Sequence, residues 1–171
     1  MKIKHQIMKA GITAVMWVRN LFRRTHMPRK HMDKFTLPID EFNDLVNSYE
    51  YKADPLGGLI DIVGRPEKFF DEDKKYNRDC DNFMNVICVN AVLNGYRADE
   101  YIVTNPTTWV SFFKRMHVVA VLEKDGEFIL ANYRLYRGFK TRDDALAYLS
   151  HFKSYKDARI VVHSREIKLK K

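Results

Sequence analysis

The pattern of apolar and polar positions divides the chain into a run of helices followed by a run of strands. Ile3, Ile7, Ala10, Ala14, Trp17 and Leu21 alternate spacings of four and three and form one stripe on a helix. Lys2, Lys9, Arg19 and Arg23 lie mostly on the other side. The pattern stops before Pro28, and the basic stretch from His26 to Lys34 reads as a linker. A second helix is expected from Pro38, with Ile39, Phe42, Leu45, Val46 and Tyr49 on its buried face. Residues 53–78 hold Pro55, Gly57-Gly58, Gly64-Arg65-Pro66 and a charged run from Asp71 to Lys75. That stretch reads as loop with short helical turns.

From Cys80 onward, Phe83, Met84, Ile87, Cys88, Ala91 and Val92 recur at helical spacing, and Gly95 after Asn94 supplies the stop. So apolar a helix belongs at the centre of a domain. Strand-like runs follow at Tyr101–Thr104, His117–Glu123 and Glu127–Tyr133, and Asp125-Gly126 between the last two is a hairpin signal. Thr141, with Asp144 three residues on, opens a further helix to about His151. Arg159–Val162 ends the pattern as a strand. The order predicts an α+β fold: a central Cys-bearing helix packed on an antiparallel sheet, with an extra basic helix at the N-terminus.

Composition changes this picture in one respect. The chain has 171 residues, 46% hydrophobic and 13% aromatic, which excludes a disordered, collagenous or disulfide-scaffold protein. The net charge of +8 lies in residues 1–34, which hold nine basic residues against Asp33 alone, while residues 35–171 carry 21 charges of each sign. The chain therefore divides into a basic helical arm and linker, 1–34, and a neutral domain, 35–171. The arm suits three roles: packing on the domain, lying on a membrane surface through Trp17 and Phe22, or docking on nucleic acid or an acidic protein. Ala10–Val18 is apolar and preceded by lysines, as in a leader peptide. Arg19, Arg23 and Arg24 follow at once, so the segment is expected to be retained. No apolar run is long enough to span a membrane.

The two cysteines, Cys80 and Cys88, would lie about 12 Å apart on one helix at 1.5 Å rise per residue, too far for a disulfide. They point to a reducing compartment, hence a cytoplasmic location with peripheral association through the arm. Cys88 sits between Ile87 and Val89 and reads as a core residue. Cys80 is different: it opens the buried helix, where unpaired N–H groups and the helix dipole favour a thiolate. Asp79 and Asp81 oppose that effect, so at least one of them is expected to hold backbone N–H groups or an arginine.

A nucleophilic thiol also needs a base and a group that orients the base. His117 opens an alternating strand and is the candidate base. The Asp125-Gly126 hairpin pairs residues whose numbers sum to 251, which puts His117 opposite Arg134 and within diagonal reach of Asn132, the candidate orienter. Cys80, His117 and Asn132 then have the roles of a papain-type triad. The Cys80 N–H is one oxyanion donor, the second is open between Asn77, Tyr76 and other upstream side chains, and Trp109 is a candidate for the cleft wall. No metal motif and no phosphate-binding glycine loop is present, so no cofactor is expected.

Asp79-Cys80-Asp81-Asn82-Phe83, a helix ending at Gly95, His117 opening a strand and a polar residue fifteen positions on resemble the transglutaminase-like cysteine proteases, in particular their bacterial and phage members. The stretch Tyr51-Lys52-Ala53-Asp54-Pro55-Leu56-Gly57-Gly58, with Asp61 and Pro66 after it, resembles the approach to their site. Departures fall at Arg78 (commonly Gly), Asn82 (Asp), Met84 (Ala) and Asn132 (Asp). The resemblance covers about residues 50–135. It implies a thiol-dependent amide-bond hydrolase acting on a protein or peptide. Two alternatives share the residues: an acyltransferase of transglutaminase type, and a non-catalytic binding or assembly protein that docks through its arm.

Overall fold

The structure is a computed structural model and describes residues 6–14, 25–51, 65–71, 78–104, 116–153 and 160–169. It contains helix α1 (residues 6–14), α2 (Met32–Phe35), α3 (Ile39–Asn47), a 3-10 turn (Pro66–Phe70) and α4 (Cys80–Leu93). Strands β1 (Arg97–Thr104), β2 (Met116–Lys124), β3 (Glu127–Asn132) and β4 (Arg134–Phe139) follow. After them come α5 (Arg142–Ala147), a second 3-10 turn (Tyr148–His151) and β5 (Ile160–Glu166). The five strands form one antiparallel sheet in the order β4-β3-β2-β1-β5. This is the expected α+β architecture, with the Cys-bearing helix packed on the sheet. Among the described residues no helix is long and apolar enough to cross a membrane.

Strand alternation sorts the sheet into two faces. Ala98, Ile102, Val118, Ala120, Leu122, Ile129 and Ala131 pack into one core with α3, α4 and the first 3-10 turn. Tyr101, Val103, Val119, Val121 and Leu130 pack on the other face against Ala145 and Leu149. Helix α4 is buried from Asp81 to Ala91, apolar on nearly every side, as a central helix must be. Both of its ends are closed by local chemistry. The Asp79 carboxylate accepts the Asn82 N–H at 3.1 Å, a side-chain N-cap. At the other end Tyr96 N–H bonds Ala91 O and Gly95 N–H bonds Val92 O, with Gly95 at φ 82, which is a Schellman motif.

Three expectations need correction. In α1 the buried side chains are Met8 and Ile12, while Ile7 is 58% exposed and Ala10 and Ala14 also face out. Met and Ile at i and i+4 bury more apolar area than two alanines, so they win the inward face over the predicted stripe. Ile3, Trp17, Leu21 and Phe22 lie outside the described residues. The stretch read as a linker holds most of α2 and is docked: Pro28 is buried, and His31 meets Asp71 at 3.3 Å. Finally, Arg134 does not face His117. Tyr133 adopts φ 58 and reverses the chain, so Arg134 starts β4 and pairs with Asn132.

Candidate active site

The site lies where the β2–β3 ladder ends. The pairs Lys124↔Glu127, Leu122↔Ile129 and Ala120↔Ala131 keep the predicted register, and the ladder stops there, three residues short of His117. Asn132 closes β3 just beyond. Past the end of that ladder, with His117 still paired to Val103 on β1 and Asn132 to Arg134 on β4, the two side chains meet at 2.7 Å, Nε2 to Oδ1. An amide oxygen only accepts, so Nε2 carries the proton and donates, and the basic lone pair belongs to Nδ1. Burial lowers the His117 pKa below its ordinary value, against the opposing pull of Asn132 and Asp81. The ring is a neutral base above about pH 6.5.

Cys80 is half-buried at the first position of α4, and both cysteines are free. Its sulfur accepts a hydrogen bond from the backbone N–H of Val118, the residue after His117, which brings the thiol to the start of β2. Its S–H donates to Asp81 Oδ1 at 3.6 Å. Here the sequence expectation of a lowered thiol pKa is overturned. Burial first, and the Asp81 charge second, push the Cys80 pKa far up, outweighing the Val118 N–H. Cys80 rests as a neutral thiol. Of the two flanking acids, Asp79 is committed as expected to the first turn, where it takes both the Asn82 N–H and the Asn82 side-chain amide.

Arg78, Asn82 and Met84 each have a local structural role. Arg78 donates to Phe69 O and Asp71 O, both at 3.0 Å, and lies over the Tyr49 ring at 4.8 Å. It therefore ties the first 3-10 turn to the start of α4. Asn82 locks Asp79, and Met84 is buried in the core.

Two residues of the site escaped the sequence reading. Tyr133 stacks on the His117 ring with centroids 5.2 Å apart and an interplanar angle of 29°. Tyr51 packs edge-on against Tyr133 at 6.2 Å and lies by Phe83 at 6.3 Å. The only signal for either was adjacency: Tyr133 follows Asn132, and Tyr51 begins the stretch that resembles the approach to the family site. Tyr76, Asn77 and Trp109 lie outside the described residues.

No family model matches this chain, and no curated protein does. Among solved structures the chain is similar to LapG from Legionella pneumophila, with a TM-score of 0.39 and 16% identity, over 66% of this chain and 60% of that one. A likeness of this size leaves the chemistry to be read from the chain's own residues.

Proposed function

We propose that this protein is a thiol-dependent amide-bond hydrolase, a small cysteine protease of the transglutaminase-like kind it resembles. The observation that carries the reading is the 2.7 Å bond between His117 Nε2–H and Asn132 Oδ1, which fixes the tautomer a base needs. Cys80 contributes the nucleophile at a capped helix N-terminus beside the strand that carries His117. Because thiol and imidazole both rest neutral, His117 acts as general base during attack and not as the partner of a standing thiolate.

In the first step the Cys80 S–H proton passes to His117 as sulfur bonds to the substrate carbonyl carbon. The developing oxyanion meets the Cys80 N–H, one of the first-turn donors without an intrahelical partner. The imidazolium then protonates the leaving amine, the C–N bond breaks and a thioester remains on Cys80. Water attacks that thioester with His117 again as base, releasing the acid and the thiol. An amine in place of water would give transamidation through the same residues. The substrate on this reading is a protein or peptide.

A second reading has an observation of its own. A thiol held protonated by burial and Asp81 suits a protein of this fold that binds without turnover, and the basic segment 1–34, with Ile7 exposed on α1, suits an anionic partner. Trapping separates the two. Incubated with a mixture of peptides and quenched in acid, a hydrolase yields thioester adducts on Cys80 in peptide mass spectra, and none in Cys80→Ala. Absence of any Cys80 adduct across the mixture favours the binding protein.

A further inference from the structure

An acyl-transfer site needs two hydrogen-bond donors for the oxyanion, and the Cys80 N–H supplies one. The second must reach over the first turn of α4 from outside that helix. Tyr51, just beyond α3, is one of the few large side chains left 49% exposed in the described structure. Its ring lies by Phe83, which is three residues from Cys80 and so on the same side of α4. Phe83 in turn meets the Tyr133 ring at 5.8 Å, and Tyr133 stacks on His117. Tyr51, Phe83 and Tyr133 thus meet pairwise between the first turn of α4 and the imidazole, with Tyr51 the exposed member.

We infer that the Tyr51 hydroxyl is the second oxyanion donor of this site, with Tyr133 as the residue that positions both Tyr51 and His117. The inference rests on the proposed acyl-transfer chemistry at Cys80. Tyr51 and Tyr133 share a side-chain hydrogen bond, and Tyr133 O–H donating to the Tyr51 oxygen leaves the Tyr51 proton for a carbonyl oxygen. Tyr51 stays a phenol: burial first, and the Asp79 and Asp81 charges with it, raise its pKa, so it donates across the neutral range. Tyr133 is fixed in its turn, since the Asn47 amide bonds its carbonyl while also bonding Asn43 O at 2.8 Å. That grip holds a non-glycine residue at φ 58, a backbone state it would not choose alone.

Two reactions at one sulfur test the assignment. Alkylation by iodoacetamide builds no oxyanion, whereas acetylation by p-nitrophenyl acetate does. In the full chain, Tyr51→Phe keeps the ring packing and removes only the hydroxyl. Cys80 alkylation is expected to stay within about twofold of wild type, while its acetylation, followed by peptide mass, falls by about 10²–10³. Tyr133→Phe, which loosens the Tyr51 hydroxyl without deleting it, should cost acetylation about tenfold or less. Acetylation of Tyr51→Phe at the wild-type rate overturns the role of Tyr51 and leaves Cys80 chemistry standing. Failure of wild-type Cys80 to be acetylated at all overturns both.

Discussion

Two polar clusters are built on the same sheet, and they are made differently. Around β1 the groups are charged and matched. Glu100, fully buried, takes a two-pronged bond from Arg165 at 2.7 and 3.1 Å, and Arg165 goes on to Thr25 and Asn85. On the other face Asp99 meets Arg97 and Arg142 at 3.2 Å and His163 at 3.0 Å. At the end of β2 an imidazole bonds an amide, while a thiol held by the Val118 N–H and by Asp81 lies beside the same strand end, and burial favours the neutral form of both thiol and imidazole. Buried carboxylates met by arginines hold β1 to β5 and to α5, and Arg165 extends the contact to the Thr25 hydroxyl. Neutral groups whose pKa values are pushed apart from their ordinary positions can pass a proton when a substrate arrives. The first cluster ties strands together, and the second is the one the proposed hydrolase reading would use.

The division is open to direct attack. Glu100→Gln leaves the Arg165 guanidinium buried without its counter-charge, and should cost about 3–5 kcal/mol in urea unfolding. The reactivity of Cys80 in the folded fraction should not move; a parallel loss of reactivity would merge the two clusters into one. Asp79→Ala is smaller and sharper. Loss of the N-cap should cost about 1 kcal/mol. Removal of a negative charge that raises the Cys80 pKa should instead make the thiol react faster with iodoacetamide at pH 8. Stability and reactivity then change in opposite directions in one variant, as expected of a residue that both caps the helix and raises the pKa of the thiol beside it.

The sequence carried these two regions unequally. Helix α4 was legible because its caps, its stop at Gly95 and its apolar period agree, and local agreement of that kind survives folding. The hairpin register was legible because Asp125-Gly126 fixes it, and the His117–Asn132 pair followed. The charged cluster was not: Asp99 and Glu100 look unlike a buried strand, and β1 begins at Arg97 only because ion pairs from β5 and α5 accommodate them. Strand β4 was missed for a related reason. Its half-exposed residues lack clean alternation, and Gly138 interrupts them. The turn before it sits on a tyrosine at φ 58, where the usual signal is Gly or Asn. In the site, residue identity gave the donors and acceptors but not the direction of the Cys80 shift. Desolvation depends on what the fold places over the thiol, and it outweighs the helix end that the sequence reveals.

The sign of the His117 shift sets a pH dependence as well. Its lowered pKa means the folded state resists a proton that the unfolded chain accepts below about pH 6.5. The associated stability is complete above that value and is lost as pH falls through the folded pKa. The same imidazole should govern reaction rate, which makes the pH profile of Cys80 acetylation the most direct test of the account. In the wild-type chain the rate should hold level near neutrality and fall on the acid side only as pH drops through the lowered His117 pKa, below the ordinary imidazole range. In His117→Ala it should drop by about 10²–10⁴ near pH 7.5, with the acid limb gone and only the alkaline ionisation of the thiol left. Equal rates and one shared profile for the two proteins would contradict it.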